Sequence, residues 1–102
     1  MDQITAIVEI NFRAGAVDRA FELFGPVIDQ LRDYDGCNSA RLIQDRSNPD
    51  RLFIVTGWES FEVHEEYQEW RLGEGALAEL GQLVDLLIEP PRESVCDTRR
   101  SV

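Results

Sequence analysis

Residues 38–58 read NSARLIQDRSNPDRLFIVTGW. Two runs that suit β-strands, 38–45 and 51–58, flank the segment Arg46-Ser47-Asn48-Pro49-Asp50, which is dense in turn-forming residues. Two such runs on either side of a turn predict an antiparallel β-hairpin. This hairpin decides the fold, because the elements before and after it must pack on its sheet.

The segment before the hairpin predicts one strand and one helix. Residues 4–12, ITAIVEINF, are rich in β-branched and aromatic side chains and predict a strand. Beyond it, apolar residues recur at helical spacing at Val17, Phe21, Phe24, Ile28 and Leu31. Gly25-Pro26 lies inside that pattern and predicts a kink or a restart of the helix, because proline lacks a backbone donor. Asp35-Gly36 then ends it.

The segment after the hairpin predicts a divided helix and a last strand. Ser60 is a candidate N-cap, Gly73 and Gly75 break the helix, and a second helix is expected from about 76 to 87. Residues 94–98 follow Pro90-Pro91 and predict the strand. The order β-α-β-β-α-β predicts an α+β, ferredoxin-like domain over residues 1–102, with an antiparallel sheet, strand order 4-1-3-2 and a flexible tail from about residue 99.

The central strands are apolar on both sides. Strand one has Val8 on one side and Ile7 on the other, and strand three has Ile54 and Val55 in the same relation. Helices cover one face of such a sheet, so the other face needs a partner, and we expect a homodimer. Cys37 and Cys96 fall near opposite edges, about 14 Å apart, which is too far for a disulfide within one chain.

Composition narrows the classes of partner. The chain of 102 residues is 43% hydrophobic with a net charge of −10, typical of a folded domain that avoids nucleic acid and anionic membranes. Its first residues lack the basic start of a signal peptide, and no apolar run is long enough to span a membrane, so a cytoplasmic protein is expected. The chain has a single histidine and two cysteines far apart in the sequence, so we expect no metal site.

Residues 57–71, GWESFEVHEEYQEWR, concentrate the polar and aromatic groups that suit a site. On a helical wheel the glutamates at 62, 65, 66 and 69 share one solvated arc. His64, Tyr67 and Arg71 form a stripe on the opposite side, pointing toward the sheet. Either they flank an apolar face, with Arg71 paired to a glutamate and reaching outward, or they line a cavity with Trp58 as its aromatic wall.

Short motifs along the chain resemble the antibiotic biosynthesis monooxygenase family. They are Gly36-Cys37 at the start of the second strand, Trp58-Glu59-Ser60 at the end of the third, and Glu89-Pro90-Pro91 before the last. The resemblance implies a dimeric α+β barrel. It also implies oxidation of a small phenolic or polyketide-like aromatic by O2 to a quinone, with no metal, flavin or haem cofactor.

The family's site residues carry over in part. Its pocket tryptophan matches Trp58, its tyrosine six positions later is His64, and its asparagine four positions earlier is Ile54. Its arginine in the later helical region falls on Ala78, which leaves Arg71 as the substitute. Histidine ordinarily titrates near neutral pH, so His64 can act as a base where a tyrosine donates a hydrogen bond.

Three hypotheses follow. In the first, a cofactor-independent monooxygenase uses His64 as a base and Tyr67 and Arg71 as substrate or oxyanion contacts; the residues expected to bind the substrate are Trp58, Trp70, Ile54 and Phe61. In the second, the chain is a ligand-binding protein or a proton-moving cyclase or isomerase of the same fold. In the third, it is a structural dimer whose cavity is filled by its own side chains.

Overall fold

The structure is a computed structural model that describes residues 2–100. It contains four strands and three helices in the order β-α-β-β-α-α-β. Their bounds are β1 Ile4–Asn11, α1 Val17–Asp33, β2 Cys37–Gln44, β3 Arg51–Trp58, α2 Phe61–Leu72, α3 Ala78–Val84 and β4 Arg92–Asp97. All strand pairs are antiparallel, in the order β2-β3-β1-β4. The predicted α+β, ferredoxin-like fold is confirmed.

The β2–β3 hairpin forms as its turn residues predict. The carboxylate of Asp45 accepts hydrogen bonds from the backbone and hydroxyl of Ser47, both at 2.9 Å. Those bonds hold the pKa of Asp45 below its usual range. Register then places Val55 of β3 opposite Ile7 of β1 and opposite Arg41 of β2. This pairing sends alternate residues of each strand to opposite faces of the sheet.

Helix α1 runs without interruption from Val17 to Asp33, so of the kink or restart predicted at Gly25-Pro26 the restart is wrong. Five apolar side chains spread along α1 are buried, although Phe21 stays 39% exposed, and this packing outweighs the one hydrogen bond that proline removes. The buried residues are Ala20, Leu23, Phe24, Val27 and Leu31. Gly36, at a φ of +98°, turns the chain into β2.

The C-terminal elements differ in length from their prediction. Helix α3 ends at Val84, because Leu87 bridges to Phe12 and the backbone N–H of Ile88 donates to Asn11. These residues thus extend the pairing at the end of β1 instead of continuing the helix. Strand β4 begins at Arg92, two residues before the predicted start. Of the tail expected from residue 99, residues 101 and 102 lie outside the described part.

The core lies between the helices and the inner face of the sheet, which includes Ile4, Ala6 and Ile10 of β1 and Leu52 of β3. The outer face carries Ile7, Phe53 and Val55, all half-buried, and the exposed Ile43. Cys37 and Cys96 lie on the two edge strands and both are free, as predicted. Within residues 2–100 no helix is both long and apolar enough to cross a membrane.

Candidate active site

A cavity of about 320 Å³ opens between the inner face of the sheet and the helices. Its apolar wall comes from every layer around it, with Val8 on β1, Ile54 on β3, Leu31 on α1 and Leu83 on α3 among its members. Such a volume is near the lower end of the range of about 300–1,000 Å³ for small-molecule sites. The chain's own side chains therefore leave this space open.

Helix α2 supplies the polar side of the cavity. The Ser60 hydroxyl accepts a hydrogen bond from the Val63 backbone at 3.2 Å, so the predicted N-cap is confirmed. The cap fixes the start of α2 and hence the direction of its faces. The four glutamates of the predicted solvated arc are exposed, whereas His64 and Tyr67 are buried against the sheet. The predicted division of this helix into two faces is therefore correct.

Four polar side chains form one hydrogen-bonded chain along the cavity wall. An Nη of Arg71 donates to Oε1 of Gln68 at 2.9 Å. Nε2 of Gln68 lies 3.2 Å from Nε2 of His64 and donates to Oε2 of Glu93 at 3.1 Å. The same Glu93 oxygen is 3.9 Å from Nε2 of His64. All four residues line the cavity.

Arg71 lies inside this chain and not on the outer surface of α2. Its hydrogen bond goes to Gln68, and its Nε is buried without a partner among the described residues. A buried guanidinium N–H without an acceptor costs free energy, and an oxygen of a bound molecule can satisfy it. The alternative in which Arg71 pairs with a glutamate is not what residues 2–100 show.

Tyr67 is positioned as a hydrogen-bond donor. Burial raises the pKa of its phenol to about 12, and the positive charge of Arg71 only partly opposes that shift. The phenol therefore keeps its proton at neutral pH. Since Tyr67 lines the cavity, that proton is available to an oxygen of a bound molecule.

Trp58 forms an aromatic wall with its polar group already used. Its indole N–H donates to the Thr56 hydroxyl at 2.7 Å, and only 1% of the residue is exposed. The Trp58 ring lies 5.1 Å from the His64 ring and 5.0 Å from the Tyr67 ring, centre to centre. Trp58 thus offers a flat apolar surface and holds both neighbouring rings in place.

The structure brings together five of the seven predicted site residues, which are Ile54, Trp58, His64, Tyr67 and Arg71. Phe61 and Trp70 do not line the cavity. Phe61 is the first residue of α2 and is 44% exposed. Trp70 packs behind Tyr67, with its ring 5.2 Å from that of Tyr34 and against Gly75. Phe61 is thus turned toward solvent, and Trp70, although on the buried side of α2, is separated from the cavity by Tyr67.

Sequence reasoning missed Gln68 and Glu93. Gln68 follows His64 by four residues and so lies beside it on α2, a spacing that the sequence does show. Glu93 comes from β4 and reaches the cavity because it pairs in register with Val8. That register could not be read from the sequence.

Comparison with known proteins places the chain in a family. The sequence model of the antibiotic biosynthesis monooxygenase family matches residues 3–78, which is more than half of the chain. The protein belongs to this family. None of the curated proteins matches the chain in sequence.

Several solved structures share the fold. A conserved protein from Methanosarcina mazei Go1 has a TM-score of 0.83 at 14% identity, and the alignment covers 97% of this chain and 95% of the Methanosarcina chain. Rv0793 from Mycobacterium tuberculosis has a TM-score of 0.80 at 21% identity, covering 96% of each chain. A mutant of SnoaB, a cofactor-independent oxygenase from Streptomyces nogalater, has a TM-score of 0.80 at 14% identity, and the alignment covers 100% of this chain and 98% of the SnoaB chain. At these identities the likeness extends to the fold alone.

Proposed function

We propose that this monooxygenase-family protein oxidises a small phenolic, polyketide-like aromatic with O2 to a quinone, without a cofactor. The observation that carries the proposal is the cavity itself, an apolar space with an aromatic wall and one polar side. A fused phenolic ring system matches that division, because its flat faces pack on apolar groups and its oxygens need donors. Family membership and the fold shared with a cofactor-independent oxygenase support it.

The first step is removal of a proton from the substrate. In a ring system of the anthrone type, a methylene between two phenol-bearing rings is acidic because its anion is delocalised onto oxygen. His64 takes that proton as the general base, an effect worth about 10²–10⁴ in rate. The Tyr67 phenol and the Arg71 guanidinium donate to the oxygen on which the negative charge accumulates. This role gives the unpartnered Nε of Arg71 an acceptor.

The second step needs only the anion and O2. The anion transfers one electron to O2, and the carbon radical and superoxide combine through a new carbon–oxygen bond. Protonation by His64 gives a hydroperoxide. Loss of the second methylene proton then breaks the oxygen–oxygen bond and releases water, so that CH2 and O2 become a carbonyl group and H2O. The protein contributes the dry, apolar surroundings that keep bulk water from the reactive anion.

We further propose that the protein works as a homodimer, with the outer face of the sheet as the interface. Ile7 pairs with Val55 and Phe53 pairs with Ile43 across that face. These four side chains form an apolar patch. Among residues 2–100, no helix packs on it. A second copy presents the same patch, so a two-fold interface would bury both.

The test of the oxidation is turnover of dithranol, a dihydroxyanthrone, by purified protein without added cofactor. We expect O2 consumption and quinone absorbance above the uncatalysed rate, and a loss of about 10²–10⁴ in His64→Ala. Glu66→Ala, on the exposed side of the same helix, is the matched control and should retain the wild-type rate. Turnover by His64→Ala at the wild-type rate would remove His64 from the mechanism.

A second candidate is a cyclase or isomerase that moves protons without O2. The observation in its favour is that His64 and Glu93, which lie 3.9 Å apart at the cavity, can take up and release a proton whether or not oxygen is present. The two candidates separate under nitrogen in D2O. A cyclase or isomerase would still change the carbon skeleton or double bonds of its substrate, whereas the proposed monooxygenase would only exchange the methylene hydrogens for deuterium and form no quinone.

A further inference from the structure

The orientation of the Gln68 amide determines which atom of His64 can carry a proton. A guanidinium can only donate hydrogen bonds, so the group of Gln68 that faces Arg71 at 2.9 Å must be its carbonyl oxygen. The amide nitrogen is consequently turned toward His64 and Glu93. That nitrogen has two N–H groups and no lone pair to offer. Both of its neighbours must therefore accept.

Nε2 of His64 can accept this hydrogen bond only without a proton. A proton on Nε2 would set two donors against each other at 3.2 Å. His64 is only 4% exposed, so water cannot readily separate the two groups. Neutral imidazole carries its single proton on one nitrogen or the other, and here the proton is placed on Nδ1.

We propose that Gln68 is a positioning residue that holds His64 with Nε2 unprotonated, and that Glu93 accepts the Nε2–H bond after His64 has taken a proton. The Glu93 oxygen already lies 3.9 Å from Nε2, and a small rotation closes that distance. The Gln68 amide turns away from both groups as the proton arrives, because the single lone pair of Nε2 cannot hold a proton and accept from Gln68 at the same time. The Glu93 side chain is 39% exposed, so its charge stays hydrated while it stabilises the imidazolium until His64 returns the proton to the peroxide.

The charged and titratable groups around His64 fit this sequence of partners. Glu93 faces it from β4, and Arg71 and Tyr67 lie beside it on α2. Trp58 of β3 covers the ring and brings no charge. Glu93 is thus the one carboxylate among the cavity-lining residues of the described chain. Only the direction of proton flow depends on the proposed function, because the tautomer exists in the free protein.

The tautomer can be measured directly, since His64 is the only histidine in the chain. Protein made without a histidine tag and labelled with ¹⁵N on the imidazole shows in an NMR spectrum which ring nitrogen carries the proton. At a pH where the ring is neutral, we expect the Nδ1–H form to exceed the Nε2–H form by about tenfold. The Nδ1–H form makes the hydrogen bond from Gln68 to Nε2, whereas the Nε2–H form would place two donors in contact. A dominant Nε2–H form in the wild-type protein would overturn the proposal.

Gln68→Glu reverses the chemistry of the contact, since a carboxylate accepts where the amide donates. We expect Nε2 of His64 to carry a proton in this variant. Gln82→Glu adds the same charge on α3, at an exposed residue outside the cavity wall, and should leave the tautomer unchanged. An unprotonated Nε2 in folded Gln68→Glu would contradict the role of Gln68. If that variant does not fold, Gln68→Met, which can neither donate nor accept in this way, should give a mixture of tautomers.

The role of Glu93 is tested at a pH where the imidazolium is present. In the wild-type protein we expect the Nε2 proton to be observed as a slowly exchanging signal, because Glu93 accepts from it. Glu93→Gln should raise its exchange rate with water by about tenfold, and Glu66→Gln should not. Equal exchange in all three proteins would overturn the assignment of Glu93. None of these measurements uses substrate. The absence of dithranol turnover would therefore not affect the roles proposed for Gln68 and Glu93, and a negative NMR result would not affect the proposed oxidation.

Discussion

The inner and outer faces of the sheet are built from neighbouring residues of the same strands, yet they are completed differently. On β3, Leu52, Ile54 and Thr56 point to the inner face and are buried by helices of the same chain. Phe53 and Val55, their immediate neighbours, point to the outer face and stay half-buried. The inner face is therefore completed within one chain, while the outer face keeps partly exposed apolar side chains that the proposed homodimer would cover.

This difference separates two kinds of apolar surface. The inner surface encloses the cavity and its hydrogen-bonded chain, so a change there acts on stability and on the site. The outer surface lies on the side of the sheet away from the cavity, so a change in its apolar patch should act on association. Substitutions at adjacent positions of one strand can test whether the two faces are independent.

Leu52→Glu should have the largest effect. Leu52 is 0% exposed, and a carboxylate there has no partner. Burying an unpaired charge costs several kcal/mol, a large part of the total stability of about 5–15 kcal/mol for a small domain. We expect no cooperative thermal unfolding transition by circular dichroism. A well-folded Leu52→Glu protein would show that the inner face is less tightly closed than the structure indicates.

Phe53→Glu, one residue further, should leave the chain folded and break the dimer. Two-fold symmetry brings two new carboxylates into one interface, and like charges there cost several kcal/mol, equivalent to about a thousandfold or more in Kd. Sedimentation velocity should show a dimer for the wild-type protein and a monomer for the variant. A monomeric wild-type protein at micromolar concentration would refute the outer-face interface.

Thr56→Val tests the hydrogen bond that orients Trp58. The substitution leaves the buried indole N–H without its acceptor at 2.7 Å, at a cost of about 1–3 kcal/mol in the free energy of unfolding. Thr5→Val on the outer face is the control, because the Thr5 hydroxyl contacts Thr98 in a partly hydrated place. Its effect should stay within about 0.5 kcal/mol. If urea unfolding gave the same loss of free energy for Thr56→Val and Thr5→Val, the hydrogen bond from the Trp58 indole would contribute no more to stability than the one between Thr5 and Thr98.

Tyr67 should give the smallest effect, visible only at high pH. Its pKa rises from 10.0 to about 12 on folding, so between those values the unfolded chain has lost a proton that the folded chain keeps. The stability contributed by Tyr67 is thus complete below pH 10 and is lost as the pH rises toward 12. Urea unfolding at pH 9 and 11 should show a smaller decrease for Tyr67→Phe than for the wild-type protein. An equal decrease would place the titration elsewhere.

Much of the fold and part of the site could be predicted from the sequence. Alternation along the strands and the turn at residues 46–50 indicated the sheet, and the wheel of α2 put His64 and Tyr67 on its buried side. These features repeat at a fixed spacing along the chain, so local chemistry is enough to show them. Trp70 lies on the same side of the helical wheel. A wheel gives the direction of a side chain but not its contacts, so it could not show that Trp70 packs behind Tyr67.

By itself, the sequence determined the order of elements, their amphipathic faces and the membership of the antibiotic biosynthesis monooxygenase family. Tertiary structure decided which groups meet. Glu93 reaches His64 because β4 pairs with β1 in one register, and a shift by one residue would turn Glu93 to the outer face. Gln68 presents its nitrogen to His64 because Arg71 holds its oxygen. Contacts between residues far apart in the chain depend on packing, and no local pattern encodes them.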